Sequence, residues 1–61
     1  MQRDVRASDA ERQAVVRRLE RAVQDGRLTV TEFDERVQAV FAARTRAAMD
    51  VVTEDLPPDL W

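Results

Sequence analysis

The sequence predicts an all-α fold: a small domain of three helices, about 9–25, 30–44 and 46–55, with short connections and a Pro-Pro C-terminal tail. Three observations carry this expectation. Apolar residues recur at helical spacing in three successive segments, and no stretch follows the two-residue period of a strand. Ser8, Thr29 and Thr45 stand immediately before those segments, as helix N-caps do. Gly26, the only glycine, and Pro57-Pro58 then fall where helices must stop.

Met1 to Ala7 has no apolar periodicity and reads as a flexible lead-in, so the domain proper spans 8–57, with 58–61 as a tail or the start of a linker. Ser8-Asp9-Ala10-Glu11 is a capping box, in which hydroxyl and carboxylate each satisfy a backbone N–H at the helix start. Asp9 and Glu11 also suit the positive end of the helix dipole. The first helix places Val15, Val16, Leu19, Ala22 and Val23 on one face and Gln13, Arg17, Arg18, Glu20, Arg21 and Gln24 on the other. Gly26 sits where a left-handed residue ends such a helix.

Leu28 is expected to plug the corner. Thr29-Val30-Thr31-Glu32 is a second capping box. The second helix offers Val30, Phe33, Val37, Val40 and Phe41 as its apolar stripe, with Phe33 expected to be the most buried large side chain, while Ala39, Ala42 and Ala43 contribute helix propensity. Thr45 caps a shorter third helix with Ala48, Met49, Val52 and Leu56 facing inward. Connections this short make successive helices neighbours, and narrow stripes must share one core.

A chain of 61 residues holds one domain with a thin core. With no Cys and no His, it has neither a disulfide, nor the commonest zinc ligands, nor the usual general base near neutral pH. Ser8, Thr29 and Thr45 are accounted for as caps, and no base stands beside them, so no catalytic residue and no cofactor site is assigned. The acidic pairs Asp34-Glu35 and Glu54-Asp55 point in different directions on a helix and lack the ligand spacing of a calcium loop, so no metal site is assigned either.

Charged residues make up 36% of the chain, yet its net charge is −2, which is not the basic excess of a nucleic-acid binder. Residues 1–27 hold seven Arg against five acids and residues 28–61 three Arg against seven acids; the first reading is that the halves complement each other within one fold, the alternative that one end docks a partner of opposite sign. Ala22-Val23-Gln24-Asp25-Gly26 imitates the turn of a helix-turn-helix. Glu32 then stands where an apolar residue should pack, and Glu32, Asp34 and Glu35 would repel phosphates. Nucleic-acid binding is therefore kept as the alternative reading, not the first.

Arg17, Arg18 and Arg21 lie on the solvent side of the first helix, where a solvated face is the first account and a shallow docking site for acidic partners or anionic lipid headgroups the alternative. Arg12 projects within the apolar arc, and its expected role is to lay its stem on the core and pair with a carboxylate of the second helix or the C-terminal turn. Val51, Leu60 and Trp61 form a second candidate surface. The tail either folds back over Val51 or meets a protein partner or another copy of the chain.

Arg6-Ala7-Ser8-Asp9-Ala10-Glu11-Arg12, Gly26-Arg27-Leu28-Thr29, Glu32-Phe33-Asp34-Glu35-Arg36-Val37, Ala43-Arg44-Thr45 and Asp55-Leu56-Pro57 occur in one register over residues 6–57. This pattern resembles a SHOCT-like domain of unknown function found in actinobacterial proteins, and Leu19 to Phe33 is similar to the shorter SHOCT domain. Ala47-Ala48-Met49 departs from the family's tendency to a Gly-Glu-Leu-like stretch, with Met49 still filling the apolar position. The resemblance implies a non-catalytic interaction or assembly module, with no catalytic residue to carry over. It also implies a cytoplasmic N-terminal domain of a larger, often membrane-associated protein. No apolar run approaches the ~20 residues of a transmembrane helix, so any link to a membrane would run through missing parts of that parent.

Overall fold

A computed structural model describes residues 5–57. Three helices follow one another: α1 over Asp9–Gln24, α2 over Val30–Ala42 and α3 over Arg46–Asp50, the last continuing as a 3₁₀ turn over Val51–Thr53. The Pro-Pro part of the expected tail extends past the described residues.

Local chemistry defines each helix end. The Ser8 hydroxyl accepts from the Glu11 N–H at 3.1 Å while the Ser8 N–H donates to Glu11 Oε1 at 2.9 Å. Thr29 and Glu32 repeat this exchange at 3.1 and 2.8 Å. The Thr45 hydroxyl accepts from the Ala48 N–H at 3.1 Å. Beyond the end of α1, Gly26 adopts φ +76°. Its N–H donates to the Val23 carbonyl at 3.0 Å, and the Arg27 N–H donates to the Ala22 carbonyl at 2.8 Å. This is the paired bonding of a Schellman motif, in which a left-handed residue closes the last carbonyls.

α1 and α2 form an antiparallel hairpin, with α3 and its 3₁₀ turn laid along one side. Leu19 and Val40 are fully buried at the centre, with Val15, Ala22, Leu28, Ala43 and Met49 around them. Leu28 does plug the corner. Phe33, by contrast, is only half-buried, and Val30, Phe41 and Ala48 face solvent. The reason is rotational: the 3₁₀ turn packs beside the Arg36 flank of α2, so the buried arc of that helix centres on Val40. Phe33 then falls at the edge of the core, while Ala43, just past the helix end, enters it.

Expected to fray, the chain before Ser8 is instead paired from Val5 onward. The Ala7 N–H donates to the Arg44 carbonyl at 3.0 Å and the Arg46 N–H to the Val5 carbonyl at 2.9 Å, an antiparallel bridge between Arg6 and Thr45. Ala43 and Thr45 are extended, so the α2–α3 link presents unused backbone groups to an extended neighbour. Ala7 is carried into the core by this pairing.

Candidate interaction surface

Three half-buried arginines hold the non-helical segments against the hairpin. Arg12 donates from Nη2 to the Ala43 carbonyl at 2.8 Å and from Nη1 to the Ala7 carbonyl at 3.2 Å. Its carboxylate partner is Asp9, at 3.5 Å within α1, and not the expected acid of α2 or the C-terminal turn. The link after α2 bares carbonyls at the end of α1's apolar arc, and a guanidinium fork reaches both extended segments at once. Its buried Nε has no hydrogen-bond partner.

Arg18 also departs from expectation. It donates from Nη1 to the Thr53 hydroxyl at 3.2 Å and from Nη2 to the Pro57 carbonyl at 3.1 Å. The 3₁₀ turn lies over that edge of α1, which turns a residue of the solvent face into a clasp. Arg36, not singled out in the sequence as a site, bonds the Val52 carbonyl at 3.1 Å and grips both oxygens of Asp55 at 2.6 and 2.9 Å. Both residues lie in the family-like motifs, but their spacing across two elements gives no local signal of pairing.

The proposed basic patch is therefore dispersed. Arg17 is exposed, Arg18 is engaged, and Arg21 stands 3.6 Å from Asp25. Arg46 is 2.7 Å from Glu11. Acids at the start of α2 do face solvent: Glu32, Asp34 and Glu35 are exposed.

Electrostatics follow these bonds. The Ser8 backbone N–H, aided by Arg46, holds the Glu11 carboxyl below the usual range. The Thr29 backbone N–H does the same to Glu32. The Arg36 guanidinium lowers Asp55, and Asp55 in turn raises Arg36. Hydroxyls of Ser8, Thr29, Thr45 and Thr53 all accept structural hydrogen bonds. Among the described residues, no group of three acids is placed to hold a metal ion.

Large apolar side chains remain exposed on two sides. On one, Val51 is 60% exposed and lines a shallow groove with Glu35, Arg36, Ala39 and Glu54. Leu60 and Trp61, its expected companions, lie outside the described residues. On the other side, Val30 and Phe41 are 67% and 61% exposed. They continue a band of half-buried Val16, Val23, Phe33 and Val37 along the open face of the hairpin, where Glu20, Val23, Gln24, Val30 and Phe33 line a second groove. The sequence stripe contained Val30 and Phe41, but nothing in it marked them as surface.

Among protein-family models, the one described as DUF1707 SHOCT-like domain matches residues 5–57. Searches of curated proteins and of solved structures found no match.

Proposed function

The chain belongs to the DUF1707 SHOCT-like family, and on that premise we propose that it is a non-catalytic helical module for protein interaction or assembly, acting in the cytoplasm on a protein partner or a further copy of itself. One observation supports this reading above others: a domain with so small a core leaves Val30, Phe41 and Val51 largely exposed. Apolar side chains gathered on a surface mark places where another surface docks. Among the described residues, the hydroxyls of Ser8, Thr29, Thr45 and Thr53 serve as hydrogen-bond acceptors in caps and in the Arg18 clasp. No helix among the described residues is long and apolar enough to cross a membrane, and the reading requires none.

The test uses the chain as bait, with Phe41→Glu and Val51→Glu variants whose helicity is first checked by circular dichroism. Specific capture of a protein, reduced by either substitution, supports the reading. Retention on heparin or DNA with steep salt dependence, unchanged by both, would replace it with nucleic-acid binding.

A further inference from the structure

We infer that the open face of the α1–α2 hairpin takes a second copy of this chain, packed face to face about a two-fold axis perpendicular to the helices. This deepens the interaction-module reading and rests on it.

The composition of the face is the first support. In a chain that is 36% charged, the band of Val16, Val23, Val30, Phe33, Val37 and Phe41 is flanked by three of the four glutamines, Gln13, Gln24 and Gln38. The charges set among them are Glu20 and Asp34, with Arg17 at the edge. Interface centres are depleted in charge in this way, whereas the solvated faces of this domain are rich in it.

Self-complementarity is the second. A two-fold axis across the helices lays α1 antiparallel on α1 of the other copy, so residues equidistant from the axis meet. The midpoint of Arg17 and Glu20 is also the midpoint of Gln13 and Gln24. One axis therefore sets cation against acid twice and amide against amide twice. Across the hairpin Arg12 reaches Ala43, and Val23 shares a groove with Val30 and Phe33. This places the midpoint of Val30 and Phe41 within about one helical turn, or ~5 Å, of the same level. The same axis then lays each Val30 against the other copy's Phe41, covering the two most exposed apolar side chains of the face. A two-fold interface requires such reciprocity. Val30 to Phe41 spans only about 17 Å of helix, so the dimer is a weak one.

Sedimentation equilibrium of the 61-residue chain from about 10 µM to about 1 mM tests this. The mass is expected to rise from monomer to dimer across that range, and Phe41→Glu to hold it at monomer. Arg17→Glu and Glu20→Arg should each weaken self-association about tenfold, because each puts like charges together twice. Mixed in equal amounts, they should associate at least as well as the parent, since every pair is then opposite in sign. All three positions are exposed, and helicity is checked for each variant. A chain that stays monomeric at the top concentration overturns the inference, while capture of a different protein would leave the interaction reading standing. A dimer broken by Val51→Glu but not by Phe41→Glu, or no recovery on mixing the charge variants, overturns it as well.

Discussion

Arg36 of α2 grips both carboxylate oxygens of Asp55, at 2.6 and 2.9 Å, while bonding the Val52 carbonyl. This ties the C-terminal turn to the hairpin beside Val52 and Leu56, which pack against the core, and the planar fork suits a paired acceptor. Arg36→Ala is expected to cost about 1–2 kcal/mol, the exposure of Asp55 keeping the figure modest. Arg36→Lys should recover only part, since an ammonium cannot bond both oxygens and the carbonyl in that geometry. Thermal melts of the parent and both variants check the order.

The same bonds give the domain an acid-sensitive stability. Glu11, Glu32 and Asp55 all have carboxyl groups held below their unfolded values. In such cases the unfolded chain binds protons first as pH falls. Their stabilisation is thus complete above the unfolded values and disappears as pH drops through the folded ones. With no His in the chain, the urea midpoint should be nearly flat from about pH 8 to 5 and fall below about pH 4.5. Glu11→Gln and Glu32→Gln should each flatten the acid limb. A midpoint that rises on acidification would contradict the assignment.

Leu19, not Phe33, is the packing centre. Leu19 is fully buried whereas Phe33 lies at the edge of the core. Leu19→Ala should cost about 3–5 kcal/mol, as much as a domain this small has in total, and leave it largely unfolded at 25 °C. Phe33→Ala should leave a folded domain with a lower melting temperature. Circular dichroism of the two variants separates these outcomes directly.

Arg12 decides whether the segment before α1 stays in place. Its two carbonyl bonds reach Ala7 and Ala43, which flank the short backbone pairing of Val5–Ala7 with Arg44–Arg46. Arg12→Met keeps an apolar stem and removes the unpartnered Nε along with the fork. Amide exchange at Ala7 and Arg46 should then accelerate at least about tenfold, as expected for local opening of a weakly held segment, while exchange at Leu19 changes little. Uniform acceleration across all three amides would show a global loss of stability instead.

What could be read from the residues in order was the part governed by near neighbours. Ser8 with Glu11, Thr29 with Glu32, Thr45 with Ala48 and Gly26 with Val23 each act over three residues, so their types and spacing state the bond. Helix existence followed, as did the burial of Leu19, Leu28 and Met49. What depended on assembly was which flank of each helix the third element would cover. α2 offers a continuous apolar arc from Val40 round to Val30, and a rotation of under half a turn exchanges core for surface. The placement of the 3₁₀ turn beside Arg36 made that choice, exposing Val30 and Phe41 and burying Ala43. The long arginines were illegible for the same reason. A side chain with several rotatable bonds takes whichever acceptors assembly brings near, so Arg12, Arg18 and Arg36 found carbonyls and a hydroxyl on segments that become their neighbours only when the chain is folded.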